Sequence, residues 1–283
     1  MGIVEQWLTD LESVLSSEPI TVSDVRISVF YTAAQLSTGH VGVAFTPRDL
    51  ADTVCCPRSA ASAPPAGRMA GQECWSLARY ALSLVPLRRA VGVAVLNALS
   101  ALAMERCPRP DWRVLPGVDA LAAAQIRPGD RVALVGAFVP FIRVLMGSAS
   151  SLWVIDKHRD ALKPDEVQFW RPPEESTEVL AQATVTVITG SALVEGGLDD
   201  LLVAAGSARA IVLAGPTASP WPPTFFERGV TILGGIRVLN PAGMMQVVSE
   251  GGSGYFFEGV AEKICVMRET TEAASQKAVN PPA

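Results

Sequence analysis

The chain of 283 residues holds only two histidines, five cysteines and three tyrosines. Imidazole is the commonest transition-metal ligand, so two residues, His40 and His158, exclude a histidine-rich metal centre. Neither stands in a recognisable metal-binding motif, and His40, just before an apolar run, reads as structural. Five cysteines are an odd number at irregular spacing, which argues against a disulfide framework and for a reducing, cytoplasmic setting. Cys55 and Cys56 are adjacent, but their distance in sequence from Cys74, Cys107 and Cys265 gives no zinc-type spacing.

Charge is also scarce. Only 18% of residues are charged, the net charge is −5, and no long basic run occurs, which excludes nucleic acid as an expected partner. The most apolar stretch, "AVGVAVLNALSALAM" at 90–104, is too short for a bilayer and carries Asn97, so it is expected to be a core helix and no membrane partner is expected. The opening "MGIVEQWLTDLE" lacks the basic start and apolar stretch of a secretion signal.

The common cofactor and nucleophile motifs are missing too. "GAFVPF" at 136–141 stands where GxGxxG would be, with Phe138 and Val139 where a pyrophosphate needs bare backbone. There is no GxxxxGK[ST] phosphate loop and no GxSxG elbow. NAD and ATP are therefore disfavoured, while an S-adenosylmethionine-type nucleotide needs less glycine and stays open as a weaker alternative. The cofactor is otherwise unknown, a metal ion included.

What is present is apolar: 49% of the residues, enough for a large core in one big domain or two ordinary ones. Ile3, Trp7, Leu8, Leu11, Val14 and Leu15 recur at helical spacing. "VRISVFYTA" and "HVGVAFTP" read as two antiparallel strands joined through "AQLSTG", followed by a long loop at 55–71 and helices over 72–84 and 87–105. This order predicts an α+β domain over residues 1–110. The stretch "CPRPDWRVLPG" at 107–117 reads as a connector.

Beyond it the pattern changes. "RVALVG", "SLWVID", "TVTVITG", "AIVLAGP" and "VTILGG" are apolar runs without polar alternation, as expected of parallel strands covered on both faces. "FIRVLMG", "STEVLAQA", "LDDLLVAAG" and "PTFFERG" are the helical candidates between them, and the alternation predicts a Rossmann-like α/β domain over 111–262. Residues 263–283 are expected to give one more strand, "EKICVMR", and a disordered tail.

Ligands of open α/β sheets bind at the carboxyl ends of the strands. Here those ends carry Gly136, Asp156, Thr189, Gly190, Ser191, Gly215, Pro216 and Thr217, all small, polar or acidic apart from the rigid Pro216. In "AGPTASPWPP", Pro216, Pro220, Pro222 and Pro223 restrict the backbone and would hold Thr217 and Ser219 at the crevice rim. The same Ser, Thr and Gly serve equally as helix caps and turns. Asp156 and Glu195 are the best-placed carboxylates, for general acid/base work or as hard-metal ligands if the fold brings them together.

"VGVAFTPRDL", "AVGVAVLNAL", "DRVALVGAF", "LWVID", "VTVITGSALVEGG" and, most specifically, "IVLAGPTASPWPPTFFERGVTILGGIRV" resemble a heavy-metal chelation domain family long classed as of unknown function. The resemblance runs to about residue 258 and implies an enolase N-terminal-like α+β domain, a Rossmann-like domain and a site in the cleft between them. It adds Asn97 to Gly136, Thr189, Gly215, Pro216, Thr217 and Ser219 as implied site residues. Two positions depart: Ala137 stands where the family often has His, and Asp156 where Glu is common. The expected protein binds a small polar molecule, a heavy metal, a metal chelate or a metallophore precursor. The alternative is an enzyme of small-molecule metabolism (a lyase, isomerase or transferase) using Asp156 or Glu195. A homodimer is left open.

Overall fold

A computed structural model of the chain describes residues 1–15, 19–47 and 62–269. Cys55, Cys56 and the tail from residue 270 lie outside the described residues.

Helix α1 (Ile3–Leu15) buries Ile3, Trp7, Leu8, Leu11 and Leu15, the stripe expected from its spacing. Three antiparallel strands follow in the order β1 (Val22–Ile27), β2 (Tyr31–Leu36) and β3 (Val41–Phe45). The run at 25–33 is thus two strands rather than one. The chain reverses between Ser28, whose N–H donates to the Tyr31 carbonyl at 3.1 Å, and Tyr31. No Gly, Pro, Asn or Asp marks this turn, and Val29 at its tip is 65% exposed, so its apolar residues read as strand.

The expected helix over 72–84 is a short α2 (Cys74–Ala78), N-capped by Glu73, and a 3-10 turn over Arg79–Leu82. Helix α3 (Pro86–Arg106) is the central element, apolar on all sides and buried from Ala90 to Ser100. It is the one helix among the described residues long and apolar enough to cross a membrane, and here it is core. Strand β3 can lie against it because Gly42 has no side chain: a Cβ there would sit 2.2 Å from the Ala94 carbonyl oxygen. Ser100 accepts the Trp7 indole N–H at 2.9 Å, tying α1 to α3.

The rest of the described chain builds one eight-stranded sheet. Its strands are β4 (Trp112–Pro116), β5 (Arg131–Val135), β6 (Ser151–Ile155), β7 (Trp170–Arg171), β8 (Val185–Thr189), β9 (Ala210–Ala214), β10 (Ile232–Val238) and β11 (Ala261–Arg268). The spatial order is β4-β11-β10-β9-β8-β5-β6-β7. All neighbours from β10 through β9, β8, β5 and β6 to β7 are parallel, and β11 runs antiparallel to both β10 and β4. The stretch 107–117 therefore contributes an edge strand, and "EKICVMR" lies inside the sheet.

Counted from β5, the six parallel strands have the order 3-2-1-4-5-6 of a doubly wound dinucleotide-type sheet, with the topological switch between β5 and β8. One face buries Val132, Leu134, Val187 and Val212 against α4 (Ala120–Ala123) and α5 (Val139–Leu145). The other buries Ala133, Ile188 and Leu213 in a core shared with α3, α6 (Ser176–Gln182), α7 (Ala192–Glu195), α8 (Leu198–Ala204) and α9 (Pro222–Glu227). The structure is thus α/β: an N-terminal α+β region on a mostly parallel sheet, with one hydrophobic core common to both.

Two further contacts join the parts. Trp7 of α1 meets Phe225 of α9 edge to face, with ring centroids 5.5 Å apart. Helix α10 (Pro241–Ser249) lays Met244, Met245 and Val248 on Ala33, Val41 and Val43 of the three-stranded sheet.

Candidate functional site

The proline-rich segment after β9 is a joint between the two parts. Gly215 has φ 110°, a region that favours glycine, and its N–H donates to the Gly234 carbonyl at 2.9 Å. The Ala218 N–H then donates to the Gly215 carbonyl at 2.8 Å, closing a turn with Pro216 and Thr217 at its centre. Thr217 is buried; its Oγ1 accepts the Phe45 N–H at 2.9 Å, and its carbonyl accepts the Asn97 amide at 2.9 Å. Asn97 donates its other hydrogen to the Val43 carbonyl at 2.8 Å. Ser219 Oγ accepts the Ile236 N–H at 3.0 Å and lies 3.1 Å from the Ile236 carbonyl, pinning the loop to β10. Thr217, Ser219 and the Asn97 amide hydrogens are spent on backbone groups.

The strand-end residues form a row of contacts. Gly136 (φ 98°) follows β5, and a Cβ on it would lie 3.0 Å from Thr189 Cγ2, so Thr189 occupies the space beside the switch point. Gly190 fits against the joint, where a Cβ would lie 2.8 Å from the Ala218 nitrogen. The Ser191 N–H donates to Thr189 Oγ1 at 3.3 Å. Asp156 follows β6, and both its oxygens are occupied: Oδ2 accepts the Ala137 N–H and Oδ1 the His158 N–H, each at 2.8 Å. Glu195 is exposed at the end of α7, 3.4 Å from Lys157 Nζ, while its carbonyl accepts from Arg89. The fold brings Gly136, Asp156, Thr189, Gly190 and Thr217 to one edge of the sheet.

The open space lies beside this row. A cleft of about 990 Å³ is bounded by the hairpin tip (Phe30, Tyr31) and Phe45, by Ala137–Phe141, by Gly215 and Pro216, and by Ser253–Glu258 with β10 and β11. Five of the nine phenylalanines and two of the three tyrosines line it. Phe138 and Phe141 stack with centroids 5.2 Å apart at 19°, and Tyr31 and Phe257 lie 5.1 Å apart at 50°. The rim carries Asp119, Glu258, Glu262 and Lys263. Asp119 caps α4 and lies 3.4 Å from Lys263 Nζ; Glu262 pairs with Arg237. Of the site residues singled out in the sequence, Gly215 and Pro216 line this cleft, while Asn97 and Ser219, again with Pro216, line a separate cavity of about 520 Å³ beside His40 and Glu105. The aromatics come from four segments, in loops, strand ends and a helix, and no sequence pattern joins them.

These groups do not make a preformed metal centre. Among the described residues no three His, Cys, Asp or Glu side chains gather to hold an ion. Burial pushes the Cys74 thiol up to about 12 and the Cys265 thiol up to about 11, so both stay protonated at neutral pH in the free protein. His40 uses both ring nitrogens, on Thr38 Oγ1 at 3.0 Å and Glu105 Oε2 at 3.1 Å.

Comparison with known proteins bears on the same region. A family model described as "Putative heavy-metal chelation" (DUF364) matches residues 119–267, and a second with the same description (DUF4213) matches residues 10–100. No curated protein matches the chain. A DUF364-family protein of unknown function from Pyrococcus horikoshii has a solved structure similar to this one: 19% identity, 95% of this chain and 100% of that one covered, TM-score 0.72. One from Desulfitobacterium hafniense gives 18% identity, 94% and 100% coverage, and the same TM-score, 0.72. These two likenesses speak for the fold. With more than half of its length matched by one model, the chain belongs to the DUF364 family, described as "Putative heavy-metal chelation".

Proposed function

We propose that the cleft beside Gly215 and Pro216 binds a small organic chelate with its metal already held, rather than a bare ion. The observation that carries this reading is the lining: aromatic rings and glycine backbone, with Asp119 and Glu262 already ion-paired at the rim. A metal ion takes about four to eight donor atoms, of which a protein site that holds it bare supplies several. A chelator supplies those donors itself and leaves the protein an apolar periphery to bury. The volume suits a small-molecule ligand, and pockets of that kind are mostly apolar with a few polar groups that fix orientation.

The test is thermal unfolding with nickel, zinc or copper salts against the same metals as small organic complexes. A ligand at a hundred times its Kd adds about 2.7 kcal/mol of stability, a plain rise in Tm. Complexes are expected to raise the Tm and salts to leave it unchanged. The measurement is repeated on a Cys55→Ser, Cys56→Ser variant, so that those thiols do not answer for the cleft. Salts that stabilise this variant as much as the complexes do would overturn the proposal.

A further inference from the structure

Resting on that reading, we infer that the ligand is a planar aromatic chelate, neutral or cationic, held by ring stacking against the Phe138–Phe141 stack and Tyr31. A Cβ on Gly215 would lie 3.9 Å from Phe138 Cε1, so the Phe138–Phe141 stack begins at Gly215. A Cβ on Gly254 would lie 3.5 Å from Tyr31 Oη and 3.6 Å from Pro216 Cγ, so the absent side chain of Gly254 keeps the space between Tyr31 and Pro216 open, with the buried Phe257 behind Tyr31. Gly215 offers bare backbone that a flat ring can approach closely, whereas the side-chain space at Gly234 and Gly235 is filled by Ala120 and by Ala218 and Ser219.

Aromatic faces carry partial negative charge and attract other rings and cations. The rim agrees in sign by one charge: Asp119 and Glu262 are paired with Lys263 and Arg237, and Glu258 adds a third carboxylate. An anionic periphery such as a tricarboxylate meets repulsion there, and a flexible aliphatic chelator finds no flat face to match. The β5 loop belongs to the same design: Phe138 and Val139, which obstruct a pyrophosphate, place a ring where a dinucleotide fold would have bare backbone.

Calorimetry and thermal unfolding of the full chain would use six probes: 1,10-phenanthroline and 2,2′-bipyridine, each free and as its nickel complex, and the nickel complexes of citrate and ethylenediaminetetraacetate. The aromatic complexes are expected to bind. Phe138→Leu and Tyr31→Leu, which keep apolar bulk and remove the ring, are each expected to weaken them by about tenfold. Unchanged Tm values of the ligand-free variants would show that the fold is kept. Binding of the citrate or ethylenediaminetetraacetate complexes alone overturns the aromatic inference and leaves the chelate reading standing. Equal affinity in both Leu variants overturns ring stacking. Free aromatic rings that bind as well as their nickel complexes support the stacking inference and remove the metal from the chelate reading. No binding by any probe overturns both.

Discussion

Asn97 of α3 reaches across the seam to Thr217: its amide nitrogen donates to the Thr217 carbonyl at 2.9 Å while also donating to the Val43 carbonyl at 2.8 Å. Two carbonyls fix which way the amide faces, and its Oδ1 is buried without a partner among the described residues. A buried carbonyl left without a donor costs about 1–3 kcal/mol, so Asn97→Leu is expected to destabilise the chain by roughly 2–4 kcal/mol. Asn97→Asp should cost more, because a carboxylate would face two carbonyls. Guanidinium unfolding checks both, and a loss below about 1 kcal/mol for Asn97→Leu would show that the seam does not depend on this residue.

Gly42→Ala sets a methyl group 2.2 Å from the Ala94 carbonyl oxygen and 2.3 Å from the Ala98 nitrogen. Backbone cannot give as a side chain can. Overpacking of this kind costs about 1–3 kcal/mol or more, through separation of β3 from α3. Gly147→Ala, with nothing within 4 Å, is the control and should stay within about 0.5 kcal/mol of the parent. Similar Tm values for the two variants would contradict the packing described for β3.

Asp130, at the opposite edge of the sheet, is buried with its carboxylate against Arg209, the Arg127 N–H and the Thr184 hydroxyl. The Arg209 hydrogen bond is the main reason its carboxyl lies well below the ordinary range; burial opposes this, and the other two donors reinforce it. A depressed folded pKa adds stability that is complete above the unfolded value of about 3.9 and fades as pH falls through it toward the folded pKa. Breaking such a pair costs about 3 kcal/mol at neutral pH, so Asp130→Asn should show that deficit at pH 7. The gap to the parent should narrow below about pH 4. A gap of constant size down to pH 3 would be the contrary result.

Asp156→Asn tests whether that carboxylate holds the strand ends together. Asn offers one acceptor where Asp156 now receives two N–H groups, from Ala137 and His158. The expected loss is about 1–2 kcal/mol, with faster hydrogen exchange at one or both of those amides. Exchange unchanged at both would mean that the loop keeps its shape without the acid.

The parallel sheet was legible because strands buried on both faces are written as apolar runs, such as "AIVLAGP", bounded by glycine and proline. The split of residues 25–33 was hidden, since the hairpin tip uses Ser28, Val29 and Phe30 in place of turn formers. Helix α10 does carry a start signal, Asn240 capping with Pro241 next, yet its apolar face is only three residues deep. At the strand ends the residue types were visible, but their commitments were not. Thr217 and Ser219 are polar whether they meet a ligand or a backbone amide, and only the fold shows that they meet backbone. The aromatic cleft leaves no periodic trace, because its rings come from segments more than two hundred residues apart.

The edge-to-face pairing of Trp7 with Phe225 also sets an order of events during synthesis. The first helix leaves the ribosome long before the residue that covers its tryptophan exists, so the opening third of the chain cannot finish its core alone. A nascent chain halted before residue 222 should therefore stay protease-sensitive at its amino end, and acquire resistance only once that late helix emerges.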